Sequence, residues 1–86
     1  MSKLSVMTYT DLLLYLEDRY SEFCRMSQYL NERGTATRDT YSLILDKAQF
    51  CYSKEELIKD LNRVIDKFAE DNAIIKNLKN FIKQLG

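Results

Sequence analysis

The side chains of this sequence that could take part in chemistry are the thiols of Cys24 and Cys51 and several pairs of adjacent carboxylates, such as Glu55-Glu56. The sequence contains no histidine, so the commonest general base and metal ligand is missing, and a Cys–His pair cannot form within one chain. Adjacent residues of a helix point about 100° apart, and adjacent acids therefore do not converge on one reacting atom. A glycine-rich phosphate loop is also missing, so we expect a non-enzymatic protein with no catalytic residues, no cofactor and no metal ion.

The two cysteines also bear on the compartment. Each lies beside an apolar stripe, which is typical of a small buried or half-buried hydrophobic side chain. Residues 1–7 lack the apolar core of a secretory signal, and the longest purely apolar run, residues 12–16, is far shorter than the roughly 20 residues that cross a bilayer. We therefore expect a cytoplasmic protein in which both cysteines are thiols.

Helices are expected to position these side chains, because apolar residues recur at intervals of three and four along most of the chain. The 86 residues contain no proline and only 2 glycines, so little interrupts a helix. We predict a single domain, residues 1–86, with a flexible tail at residues 1–7. The predicted fold is all-α: an antiparallel bundle of three helices at about residues 8–33, 37–51 and 53–85.

The predicted helix boundaries depend on local capping signals. Thr8 and Ser53 are typical N-cap residues, and each has an acid three residues further on, as in a capping box. Gly34 is typical of the residue that directly follows a helix. Thr35 or Thr37 would then begin the second helix. We therefore expect the connection between the first two helices just after residue 33.

The third segment contains one irregularity. Its apolar series runs at alternating intervals of four and three and is broken only at Asp71. Before Asp71 additional apolar residues widen the stripe on one flank, and after it they widen the stripe on the other. Either the helix bends or breaks near Asp71-Asn72 into a fourth helix, which the carboxylate caps, or it continues straight into a dimer, with Asp71 as a polar residue that sets the register.

The apolar residues after this irregularity are the main candidates for a binding surface. Exposed, they would form a contiguous apolar patch, which usually contacts a partner; the alternative is that they pack inside the same chain. Two further apolar residues fall on the polar face of the first helix. The candidate interaction residues are Ile74, Leu78, Phe81, Ile82 and Leu85, together with Leu14 and Tyr29. They predict a small interaction module that acts as a regulator, inhibitor or adaptor of a larger protein and that also forms a homodimer.

A DNA-binding alternative depends on the segment around Gly34. A glycine turn followed by Thr37 as a cap has the order of a helix-turn-helix, and Arg38, Thr40 and Tyr41 would then contact DNA. The acids in the same segment and the formal net charge of +0 over the whole chain offer phosphate little attraction. The charge pattern therefore argues against nucleic acid as the partner.

The end of the chain and its size suggest two more functions. Residues 74–86 are amphipathic and contain three lysines, as helices that lie on membranes do, although the modest charge and the lack of tryptophan argue against a membrane partner. The length and helical class are also those of bacteriocin or toxin immunity proteins. This is an analogy of class that no motif supports.

Overall fold

Within residues 3–68 and 72–85, which the computed structural model describes, four α-helices pack around one core. The predicted all-α fold is confirmed. The helices are α1 (Tyr9–Arg25), α2 (Glu32–Ala48), α3 (Lys54–Lys67) and α4 (Ala73–Leu85), and two short 3-10 helices cover Lys3–Val6 and Ser27–Tyr29. None of the helices described combines the length and the apolar character that a bilayer-spanning helix requires.

Hydrogen bonds at one end of the bundle show the direction of the helices. The Tyr9 hydroxyl, at the start of α1, donates to the Ala48 carbonyl at the end of α2 over 2.6 Å. The Lys54 ammonium, at the start of α3, donates to the Leu4 and Ser5 carbonyls over 3.1 and 3.0 Å. The start of α1 lies beside the end of α2, so these two helices run antiparallel, and α3 begins at the same end. We call this end, which contains the connection at residues 49–53, the α2–α3 end.

Every helix contributes to a common apolar core. The side chains with essentially no exposure come from α1, α2, α3 and α4, and burying each one contributes about 1.5–3 kcal/mol. The largest of these fully buried side chains are Leu12, Leu16, Ile44, Leu57, Leu61 and Leu78. Because α4 supplies part of this core, its apolar face already has a partner in the same chain.

The predicted boundary between the first two helices is wrong. Helix α1 ends at Arg25, and α2 begins at Glu32, three residues after the second 3-10 helix. Asn31 is the N-cap of α2, since its Oδ1 accepts a hydrogen bond of 2.8 Å from the Gly34 amide. Asparagine is among the strongest N-cap residues, and Gly34 lies in the first turn of α2 without a positive φ.

The threonines expected at the start of the second helix lie inside α2 instead. The Thr37 hydroxyl donates to the Arg33 carbonyl over 3.0 Å, a bond to the preceding turn of the same helix. The segment from residue 34 to residue 40 is therefore continuous helix, and it contains no turn.

The third predicted helix is broken into two helices, which is one of the two forms predicted for it; the other was a straight helix. Helix α3 ends at Lys67, and Phe68 has an extended backbone with φ −89° and ψ 124°. Asn72 caps α4, since its Oδ1 accepts from the Ile75 amide over 3.0 Å. A continuous helix over residues 53–85 is wrong. Asp71, which was expected to mark the break, lies outside the described residues.

The N-caps predicted at Thr8 and Ser53 are confirmed. The Thr8 hydroxyl accepts from the Asp11 amide over 3.1 Å, and the Ser53 hydroxyl accepts from the Glu56 amide over 3.3 Å. The Glu56 carboxylate accepts from the Tyr52 amide over 2.9 Å and so satisfies the donor one residue before the cap.

The start of the chain differs from the expected tail. Residues 3–6 form a 3-10 helix whose Leu4 side chain is buried against the bundle and lines one cavity with Phe81 and Gln84 of α4. The hydrogen bonds from Lys54 hold this turn against the start of α3. Residues 3–6 are therefore a structural part of the fold.

Candidate functional site

The apolar residues predicted to bind a partner divide into two groups. In α4, Leu78, Phe81 and Leu85 are buried and Ile74 and Ile82 are half-buried, all within the core of the same chain. These five residues therefore pack inside their own chain, which was the alternative to partner binding, and they form no exposed apolar patch.

Leu14 and Tyr29 are exposed, as expected, by 59% and 80% of their surface. Leu14 lies on the outer face of α1, and Tyr29 lies in the short connection before α2. They are far apart along the chain and belong to different elements. Single exposed apolar side chains of this kind are common on proteins and do not by themselves indicate a site.

The three residues expected to contact DNA lie in the middle of α2. Thr40 is buried, and its hydroxyl donates to the Ala36 carbonyl over 2.7 Å and accepts from the Asn77 amide over 3.3 Å. The Arg38 guanidinium pairs with Asp39 over 3.2 Å. The Tyr41 ring packs on Phe23. The structure therefore does not place Arg38, Thr40 and Tyr41 together at the start of a recognition helix.

Two aromatic side chains project from the α2–α3 end. Phe50 is 77% exposed and Tyr52 is 88% exposed, and they lie on either side of the buried Cys51. The backbone between them is held by hydrogen bonds, since the amides of Phe50 and Cys51 donate to the carbonyls of Lys47 and Ala48 over 3.1 and 3.3 Å. We call Phe50 and Tyr52 the aromatic pair.

Cys51 anchors the aromatic pair to α3. Its thiol donates a hydrogen bond of 3.2 Å to the Asp60 carboxylate. Burial, followed by this hydrogen bond to a carboxylate, raises the pKa of the Cys51 thiol to about 11, so the thiol remains protonated at neutral pH. A protonated, buried thiol is a poor nucleophile, and Cys51 is therefore a structural residue.

Cys24, which was expected to be buried or half-buried, is exposed near the end of α1. Tyr52 and Phe68 are also largely exposed. Both lie outside the helices, where helical periodicity does not predict the direction of a side chain. The aromatic pair was not predicted, although two aromatic residues next to the Ser53 cap could have indicated an exposed connection.

A basic groove runs between the first turn of α2 and the outer face of α4. Its volume is about 690 Å³. Its cationic side chains are Arg33 from α2 and the three lysines of α4, and none of the lining residues within the described part of the chain is an acid. The lining residues are Arg33, Ala73, Lys76, Asn77, Lys79, Asn80 and Lys83. The sequence indicated the lysines only as part of an amphipathic segment, and the contribution of Arg33 was not foreseen.

A neutral polar cavity of about 190 Å³ lies beside the basic groove. Its walls come from α1, α2, α4 and the first 3-10 helix. Burial, and then a hydrogen bond with Tyr41, raises the pKa of Tyr15 above its usual value, so the Tyr15 hydroxyl stays neutral at physiological pH. The hydrogen-bonding side chains around the cavity are Tyr15, Thr37, Thr40, Tyr41, Asn77, Asn80 and Gln84. Asn77 and Asn80 line both spaces.

In the part of the chain that the structure describes, no three histidine, cysteine or carboxylate side chains lie close enough together to hold a metal ion. Comparisons with protein-family models, with curated proteins and with solved structures find no match to this chain. The candidate functional features of the structure are the aromatic pair, the basic groove and the polar cavity.

Proposed function

We propose that this protein is a small non-enzymatic interaction module that regulates, inhibits or adapts a larger protein by inserting the aromatic pair into it. The observation that carries the proposal is the exposure of Phe50 and Tyr52, by 77% and 88%, on a connection whose backbone is hydrogen-bonded on both sides. Aromatic side chains are enriched among the residues that dominate binding energy in protein interfaces.

The rigid support of the aromatic pair favours tight binding. Burying an exposed phenylalanine or tyrosine in an apolar pocket contributes about 1.5–3 kcal/mol for each side chain. Cys51, Asp60 and Glu56 already fix the connection, so little conformational entropy remains to be lost on binding.

The surroundings of the pair indicate the chemistry of the partner. Phe50 lies against a shallow depression lined by Glu56, Lys59, Asp60 and Arg63, which carry both signs of charge. Such a mixed rim does not select a strongly acidic or basic partner. The complementary surface is therefore an apolar pocket with a polar rim on the larger protein.

Self-association was expected from the apolar face of α4, and the proposed contact lies elsewhere. The residues that were to form the homodimer are covered by the chain itself, so the proposal assigns the contact to a different protein and to the α2–α3 end. Sedimentation of the purified protein measures its self-association directly, and we expect a monomer at micromolar concentration.

A pull-down from an extract of the native host tests the proposal. The bait proteins are the wild type, a Phe50→Ala/Tyr52→Ala variant, and a Leu14→Ala/Tyr29→Ala control that removes exposed apolar surface elsewhere. We expect one partner, identified by mass spectrometry, to be recovered with the wild type and the control and to bind the aromatic-pair variant at least about tenfold more weakly. Equal recovery with all three baits would contradict the proposal.

A further inference from the structure

We propose that the polar cavity and the basic groove together bind a phosphate ester of a small polar ring compound, either a sugar phosphate or a mononucleotide. The ring occupies the cavity and the phosphate occupies the groove. This site does not include the aromatic pair, so the inference is independent of the proposed protein contact.

The groove has the charge that a phosphate requires. Lys76 and Lys83 are seven residues apart on one stripe of α4, a rise of roughly 10 Å, and Arg33 faces them from α2. Within the part of the chain that the structure describes, Arg33, Lys76 and Lys83 form no ion pair with an acid. A guanidinium offers a phosphate a bidentate contact, and ammonium groups add point charges.

The cavity has the size and chemistry of a binding site for one polar ring. A cavity of about 150 Å³ holds a benzene ring, and this one measures about 190 Å³. Tyr15, Tyr41 and Phe81 present aromatic surface, and the Gln84 amide offers one donor and one acceptor group. Among the residues that the structure describes, none that lines the cavity is charged. A neutral ring with several hydrogen-bonding groups fits these walls better than a hydrocarbon or an ion.

Asn77 and Asn80 connect the two spaces. They lie on the side of α4 between the lysine stripe and the cavity, and both line each space. In a phosphate ester the ring and the phosphate are separated by only a few bonds, so one small molecule can reach both. The shared lining therefore favours an ester over free phosphate or a free ring compound.

Larger anionic partners fit the site less well. The groove has no large apolar side chain, because the apolar face of α4 is buried in the core, so a lipid surface gains no insertion energy there. The formal net charge of +0 gives a nucleic-acid polymer little attraction outside the groove. The small ester is thus the ligand class that uses both the cavity and the groove.

Isothermal titration calorimetry on the full chain tests the inference with four probes: uridine monophosphate, ribose 5-phosphate, uridine and inorganic phosphate. We expect at least one ester to bind with a dissociation constant of about 10–1000 µM and at least about tenfold more tightly than uridine and phosphate. Tighter binding of uridine monophosphate would identify a nucleotide site, and equal or tighter binding of ribose 5-phosphate would identify a sugar-phosphate site.

Variants separate the two halves of the site. Arg33→Gln/Lys83→Gln is expected to weaken ester binding about tenfold, whereas Arg25→Gln/Lys67→Gln, which removes two exposed cations elsewhere, leaves it unchanged. All four cations are on the surface, so both variants are expected to keep the helical circular dichroism spectrum.

A second pair of variants tests the cavity. Gln84→Ala is expected to weaken ester binding and to leave phosphate binding unchanged, with the exposed Gln28→Ala as its control. The inference is overturned if neither ester binds at about 10 mM, if inorganic phosphate binds as tightly as the esters, if only an oligonucleotide binds, or if the groove variant binds like the wild type.

Discussion

The two cysteines have opposite environments although both were expected beside apolar stripes. Cys24 is exposed at the end of α1, whereas Cys51 is buried and donates to Asp60. The difference arises from the α2–α3 connection, which turns Cys51 into the core and leaves its aromatic neighbours in solvent. At the residue scale, one partly buried hydrogen bond, from Cys51 to Asp60, therefore helps to orient the surface on which the proposed protein contact depends.

The Cys51 thiol predicts a dependence of stability on alkaline pH. Its pKa rises from 9.0 to about 11 on folding, so the unfolded chain releases the proton first, and the free energy of unfolding falls as the pH rises from about 9 to 11. Urea unfolding at pH 8 and pH 10.5 measures this fall. We expect a smaller fall in Cys51→Ala than in Cys24→Ala, and equal falls in the two variants would contradict the assignment.

At the scale of the helices, the caps decide where each one begins. Thr8, Ser53, Asn31 and Asn72 each accept a hydrogen bond from the amide three residues further on. The Asn31 cap separates α1 from α2 and thereby places Arg33 in the first turn of α2, opposite the lysines of α4.

Removing the Asn31 cap tests the observed boundary. Asn31→Ala is expected to lower the free energy of unfolding by about 1 kcal/mol, because the Gly34 amide loses its acceptor. Thr37→Ala is expected to change it by less than about 0.5 kcal/mol, since Thr37 lies inside the helix and only donates to the preceding turn. Chemical denaturation measures both values. The reverse order would restore the boundary at Thr37.

Local signals explain which boundaries could be predicted. The caps at Thr8 and Ser53 and the break near residue 72 all follow from short patterns that need no tertiary contact. The boundary at Asn31 was missed because Leu30 continues the apolar spacing of the first predicted helix. In addition, a glycine in the first turn of a helix cannot be distinguished by sequence from one that ends a helix.

The candidate site was less predictable than the helices. Arg33 and Lys76 are distant in sequence and meet only when α2 packs on α4, so no local pattern joins them. The exposure of Phe50 and Tyr52 depends on the residue at which α2 stops. Helical periodicity located the apolar face of α4 correctly, but it could not decide whether that face is covered by the same chain or by a partner.

At the scale of the whole molecule, the covered face of α4 changes what a mutation there should do. Leu78 is fully buried between helices, so Leu78→Ala is expected to lower the free energy of unfolding by about 2–5 kcal/mol. Leu14→Ala, at an exposed position, should change it by less than about 0.5 kcal/mol.

Two measurements, urea unfolding followed by circular dichroism and sedimentation, distinguish a role of Leu78 in the core from a role in a dimer interface. If the residue belongs to the core, the variant unfolds at lower urea and the association state of the folded protein does not change. A variant that kept the wild-type stability and only dissociated from a dimer would contradict the burial of Leu78 in its own chain.

The contact between the first 3-10 helix and α4 also has a consequence for the order of folding. Leu4 lines one cavity with Phe81 and Gln84, which are far from it in sequence. Closing so long a loop costs more chain entropy than joining helices that follow one another in sequence. We therefore expect the contact of Leu4 with α4 to form after the contacts between neighbouring helices.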